Sequence, residues 1–171
     1  GAAMTVDEAV AATRYAAFEA VRAGITCVMN NQYLPWNPET TDAVAGAMES
    51  VGLRGVVARG MTGSPPPAME HRGDDARPWN FTTAEELGIM ADLLAHWSPD
   101  RLVKLWPGPN NIVFNDQELI RGCAELAKEY GTRWHTHCCE AQHDPEIYRK
   151  TYGMSPVKWL SEAKLLDSET T

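Results

Sequence analysis

Apolar positions along the chain fall alternately into helical stripes and short strands. Thr5-Val6-Asp7-Glu8 reads as a capping box. The helix it opens carries Val6, Val10, Ala17 and Val21 on one stripe and stops near Ala23-Gly24. Ile25 to Met29 follows as a short strand, apolar apart from Thr26, of the kind buried on both faces in a parallel sheet. A polar loop from Asn30 to Thr40 leads to a helix from Thr41 to Val51. Gly52 ends it, and Leu53 to Ala58 makes the next strand. Arg59 to Thr82 is a long loop holding Pro65-Pro66-Pro67 and the charged run His71-Arg72-Gly73-Asp74-Asp75. Loops of that length inside compact domains are often functional or mobile.

A second capping box, Thr83-Ala84-Glu85-Glu86, opens a helix to Trp97. Leu102 to Trp106 is a strand that Pro107-Gly108-Pro109 is expected to terminate. A third box, Asn115-Asp116-Gln117-Glu118, opens a helix to Tyr130 with Leu119, Cys123, Leu126 and Tyr130 as its buried row. Gly131 caps it, and a strand through His135 and His137 follows. Two short helices come last, each with proline in its first turn, at Asp144-Pro145 and Ser155-Pro156, with Gly153 between them.

Strands alternating with helices of about 10 or more residues predict right-handed βαβ units and a parallel sheet, an α/β fold. An open doubly wound sheet and a barrel both satisfy that pattern. No glycine-rich phosphate loop follows the first strand, where Asn30-Asn31-Gln32-Tyr33 stands instead. A complete eight-stranded barrel takes about 250 residues. The four strands expected here would make about half of a (β/α)8 TIM barrel.

A chain of 171 residues can bury a sizeable core, and residues 1–171 are expected to form one partial-barrel domain. The formal net charge of −8, with no cluster of Lys and Arg, argues against nucleic acid and anionic membrane as partners. No apolar run approaches the roughly 20 residues of a membrane span. The first residues lack a basic start followed by an apolar stretch, so no signal peptide is expected. The four cysteines (Cys27, Cys123, Cys138, Cys139) follow no disulfide-framework spacing, which points to a reducing cytoplasm.

The run His135-Thr136-His137-Cys138-Cys139-Glu140 carries the candidate chemistry. Strand side chains alternate between faces, so His135 and His137 point the same way. Glu140 lies three residues after His137, where a strand would give way to a loop. An imidazole with a carboxylate one turn away supplies parts of the kit for making and using metal-bound hydroxide. An ordinary surface pair of histidine and carboxylate is the plainer alternative. Cys138, Cys139 and His143 invite a structural zinc shared with His137, but adjacent cysteines project to opposite sides of an extended chain, which disfavours it. Trp106 either walls a heterocycle pocket or packs in the core. His71 is expected to be solvated, and Tyr152 and Trp159 to pack between helices.

Three passages resemble the amidohydrolase superfamily, in its branch of cytosine, guanine, 8-oxoguanine and adenosylhomocysteine deaminases and triazine hydrolases. They are Ala20 to Val28, Val51 to Val56, and Leu126 to Glu140 followed by Tyr152-Gly153-Met154-Ser155-Pro156-Val157 and Trp159-Leu160. The resemblance implies a metal-dependent hydrolase on a (β/α)8 barrel. It assigns a catalytic zinc or iron to His137, the histidine of His-x-x-Glu. It makes Glu140 the carboxylate that shuttles a proton between the metal-bound water and the substrate's ring nitrogen and leaving group. The implied reaction is hydrolytic deamination, or dechlorination, of a small nitrogen heterocycle.

The family's first-strand His-x-His pair would lie before Gly1. Its sixth-strand histidine and eighth-strand aspartate would lie beyond Thr171. The chain is therefore expected to be an internal fragment covering strands two to five, with little metal and no activity by itself, since a metal site needs about three protein ligands. The rival expectation is a catalytically inactive half-barrel that persists as a homo-oligomer, because an open sheet edge and apolar inner face invite association.

Overall fold

The computed structural model describes residues 4–33, 37–68 and 81–166. Helix α1 (Val6–Arg22) precedes strand β1 (Cys27–Gln32), helix α2 (Glu39–Ser50) and strand β2 (Arg54–Met61). Helix α3 (Thr83–His96), strand β3 (Val103–Pro109) and helix α4 (Gln117–Glu129) follow, and α5 (Asp144–Tyr152) and α6 (Pro156–Glu162) close the order. The three strands form one parallel sheet in the order β1-β2-β3, with Cys27 opposite Arg54 and Gly55 opposite Val103. The α/β class and parallel pairing follow the sequence reading.

Strand parity divides the sheet into two faces. Val57, Met61, Val103 and Leu105 enter a core with Val44, Met48, Met90, Leu119 and Cys123 from α2, α3 and α4. Alternation then turns Met29, Asn31, Val56, Ala58 and Trp106 to the opposite, inner face. Helix α4 serves two clusters. Leu119 and Cys123 face the sheet, while Ile120 and Ala127 pack with Trp134, Tyr148, Trp159 and Leu160. Trp159 packs between helices, its ring 6.2 Å from that of Tyr148, and Tyr152 joins the same cluster 4.5 Å from Tyr148 on its own helix.

Several expectations need correction. The first strand begins at Cys27, leaving Ile25 outside it at 47% exposed, and it is not buried on both faces: Met29 is 42% exposed because β1 is an edge of the described sheet. In α1 the buried residues are Ala9 and Ala17, whereas Val21 is 43% exposed. Tyr130, placed in the buried row of α4, is likewise exposed. The second strand runs on to Met61, so the long segment begins at Thr62; of it, residues 69–80, with His71, lie outside the described residues.

One capping box shifts by one residue, and the other expected box is replaced by a simple N-cap one residue on. Thr82, not Thr83, is the N-cap of α3 and exchanges bonds with Glu85. Glu86 is thereby turned into the core, where it meets Arg59. Asp116, not Asn115, caps α4 by accepting from Leu119 N at 2.7 Å. Asn115 donates instead to Met61 O and Thr62 O, tying the end of β2 to the start of α4.

Pro107-Gly108-Pro109 does not end its strand: β3 pairs with β2 through Pro109. In a strand the N–H and C=O of one residue point to the same side. The Pro107 carbonyl accepts from His135 N, so the missing proline N–H faces away from β2. That geometry also explains the fourth segment. His135 N donates to Pro107 O and His137 N to Asn110 O, and Ile112 N donates to His137 O, but one parallel bridge, Asn111 to His137, is all that forms. Prolines at 107 and 109 withhold donors that a full ladder requires. The expected histidine strand is thus an extended segment in parallel position.

Gly55 lets β1 approach β2. A Cβ there would meet the Val28 carbonyl oxygen and lie 2.8 Å from Met48 Cε. Gly55→Ala is expected to cost about 1–3 kcal/mol of unfolding free energy in urea titration.

Glu49 accepts from Arg101 Nε at 2.9 Å and from Val103 N at 3.1 Å, and Arg101 stacks over the Trp97 ring at 3.6 Å. Burial pushes the Glu49 carboxyl up, but the bonds from Arg101 and Val103 outweigh it and hold it below its ordinary 4.5. A lowered folded value means the unfolded chain binds more protons, so this stability is present above pH 4.5 and lost as pH falls through the lowered value. The stability gap between wild type and Glu49→Gln should therefore narrow in unfolding curves taken below that pH.

Candidate active site

The candidate site lies at the carboxyl ends of the parallel strands. Gln32 accepts from Thr41 of α2, so its neighbour Asn31 points to the inner face. There the Asn31 amide nitrogen lies 2.7 Å from His137 Nε2 and donates to it. The His135 ring is edge-on to His137, centroids 5.4 Å apart, so the two imidazoles share a face as the alternation predicted. Burial, with His137 beside it, lowers the His135 pKa and favours its neutral form.

Glu140 sits on an exposed turn, and Asn111 Nδ2 donates to its carboxylate at 2.9 Å. Asn111 is 1% exposed and fixed twice more: its N–H donates to Asn115 Oδ1 at 3.0 Å, and its Oδ1 accepts from Val113 N at 2.9 Å. A chain of amides therefore runs from the end of β2 through Asn115 and Asn111 to the Glu140 carboxylate. Because Asn111 is also bridged to His137, one buried residue links both candidates. Asn110 is 3% exposed, and both its amide atoms lack hydrogen-bond partners.

Sequence reading singled out His137 and Glu140 but missed these four asparagines. For Asn31, Asn110 and Asn111 the signal was present as polar amides at strand ends, where barrel enzymes place functional groups, whereas Asn115 was read as a helix cap. The expectation that Cys138 and Cys139 project apart fails. Cys139 takes φ 56°, and its left-handed turn brings the two sulfurs within 3.7 Å. Burial is the main cause that raises the Cys138 thiol to about 12, with Cys139 adding to it. Trp106 lines a cavity of about 770 Å³ with Trp97, Lys104, Tyr130, Thr132 and Arg133, a space bordered by neither His137 nor Glu140.

Among the described residues, no three His, Cys, Asp or Glu side chains converge as a metal-holding group. His137 Nε2 already receives the Asn31 amide, so an ion at that nitrogen would have to displace it. The described donors alone do not fit a catalytic metal.

The amidohydrolase family pattern matches residues 3–171. The chain belongs to the amidohydrolase family. It is 30% identical to a 5-methylthioadenosine/S-adenosylhomocysteine deaminase of Symbiobacterium thermophilum, over 96% of this chain and 34% of that protein. To an 8-oxoguanine deaminase of Pseudomonas aeruginosa it is 26% identical, over 99% of this chain and 38% of that protein. Its fold resembles an adenosine deaminase from Xanthomonas campestris solved with bound zinc, at TM-score 0.79 and 20% identity, covering 99% of this chain and 35% of that one. A variant of atrazine chlorohydrolase from Arthrobacter aurescens, complexed with zinc and atraton, matches at TM-score 0.78 and 21% identity, over 93% and 36%. The chain thus spans about a third of the length of these relatives. Its parallel sheet and helices correspond to part of the amidohydrolase barrel.

Proposed function

We propose that this chain supplies His137 and Glu140 to the active site of a barrel that hydrolytically deaminates, or dechlorinates, a small nitrogen heterocycle. The observation that carries the reading is their joint placement at the strand ends, His137 on the inner face and Glu140 fastened through Asn111. Family membership supports the reaction class, and relatives named as nucleoside and oxoguanine deaminases support a purine-like substrate.

In this reading Glu140 takes a proton from the attacking water as its oxygen adds to the ring carbon. It returns that proton to the ring nitrogen, then carries the remaining proton of the added hydroxyl to the departing amine, so that ammonia leaves. A divalent metal, zinc or iron, would supply Lewis acidity when bound. His137 would be one of its ligands, and the others must come from outside the described residues. Neither nucleic acid nor membrane has a place in this scheme, and no helix among the described residues is long and apolar enough to cross a membrane. Free thiols throughout suit the cytoplasm.

A panel of aminated purines, cytosine and triazines, assayed with a complete barrel carrying these residues, tests the proposal. Ammonia release from at least one of them is expected, and the isolated 171-residue chain should release none. A complete barrel inert on the whole panel contradicts the reaction class.

A second reading rests on the incompletely covered inner face, where Met29 is 42% exposed and Val56 and Trp106 are half-buried although Ala58 between them is fully buried. An apolar sheet face with an open edge favours pairing with further strands. The isolated chain is accordingly proposed to form a homo-oligomer without activity. Light scattering checks this, and a clean monomer at high concentration would exclude it.

A further inference from the structure

Between His137 and Glu140 stand two cysteines that the proposed chemistry does not use. Their sulfurs lie 3.7 Å apart because Cys139 adopts φ 56°, a left-handed conformation that disfavours residues other than glycine. Cys138 is half-buried against the cluster around Tyr148 and Trp159, whereas Cys139 is exposed. The next residue, Glu140, is bonded to Asn111, which two further hydrogen bonds and near-complete burial hold still.

We propose that Cys138 and Cys139 are a reversible modification site, which a small organic disulfide closes to a vicinal disulfide that withdraws Glu140 from Asn111. The significance of that withdrawal rests on the proton-shuttle reading of Glu140; the modification itself does not.

The reaction has two exchanges. The exposed Cys139 sulfur attacks one sulfur of the reagent, forming a mixed disulfide and releasing the first small thiol. Cys138 Sγ, giving up its proton as it attacks, then displaces the second small thiol and forms the Sγ–Sγ bond. The two cysteine protons end on the two released thiols, and the reagent's disulfide is the species reduced. Adjacent Cα atoms are about 3.8 Å apart, below the usual 4.4–6.8 Å of disulfide-linked residues. A bond so constrained is easily reduced, so the site reopens under mild thiol. Closing the ring must also reshape the turn at Cys139, and Asn111 cannot follow the carboxylate that moves with it.

The test uses the chain carrying Cys27→Ser, which removes an exposed thiol at the opposite end of β1 and leaves Cys123 fully buried. After incubation with oxidised glutathione, intact mass and peptide mapping should show the loss of two hydrogens within the Cys138–Cys139 peptide, no retained glutathione, and reversal by dithiothreitol. On the same background, Cys138→Ser should retain a glutathione adduct on Cys139. A lasting adduct on Cys139 with Cys138 intact, or two unreacted thiols, overturns the proposal without needing the second variant. The Asn111 side-chain amide resonance should shift on oxidation and return on reduction. Disulfide formation with that resonance unmoved overturns the withdrawal of Glu140. Neither failure touches the hydrolase reading, which is judged by turnover in a complete barrel.

Discussion

Glu140→Gln, introduced into a complete barrel carrying these residues, is expected to lower kcat by about 10²–10⁴-fold, the usual contribution of a positioned general acid–base group. The substitution suits the geometry. A glutamine oxygen can still accept from Asn111 Nδ2, so the turn keeps its anchor while the side chain loses its ability to carry a proton. Substrate affinity and unfolding midpoint should therefore stay close to wild type. Steady-state kinetics on the best substrate of the panel measures the effect. A kcat close to that of wild type would remove Glu140 from the proton path and leave it a surface carboxylate.

The largest effect on stability is expected at Glu86. Its carboxylate meets Arg59 Nη1 at 2.5 Å and also accepts from Thr62 N at 3.3 Å, with the Arg59 side chain fully buried. Nε and Nη2 of Arg59 already lack partners, so the guanidinium depends on Glu86 for its compensation. Glu86→Ala strands a buried cation and should cost about 3–5 kcal/mol. Replacing both residues by apolar ones of similar volume, Arg59→Met with Glu86→Leu, should recover much of that loss, because burying two charges is itself expensive. Urea unfolding of Arg59→Met, of Glu86→Leu and of the double forms the cycle. A double variant as unstable as the sum of the singles would show that the pair does not act as a unit.

Much of this was legible in the chain. Capping residues and alternating apolar runs located the helices and strands to within a few positions, since both signals are local. The errors arose where tertiary geometry chose between neighbours of equal local merit. Thr82 and Thr83 are each followed three residues later by a glutamate, and the burial of Glu86 against Arg59 decides between them. Pro107 and Pro109 read as terminators, yet their absent donors face the side where β2 does not lie.

The site was half legible for a related reason. His137 and Glu140 stand in one short run and carry chemistry by residue type. Asn31 and Asn111 come from distant stretches, and they matter through what they touch. The sulfur pair was misjudged because alternation holds only in extended backbone, and Cys139 leaves it.

The proposed site has His137 and Glu140 beside one another, with His137 one ligand of a metal whose other ligands lie outside the described residues. It is tested most directly by anomalous diffraction at the zinc edge from crystals of a complete, zinc-loaded barrel carrying this chain. A peak is expected about 2.0–2.1 Å from His137 Nε2, with the Asn31 amide displaced from that nitrogen and Glu140 still on Asn111. A zinc peak elsewhere in the molecule, with Asn31 still bonded to His137, would contradict it.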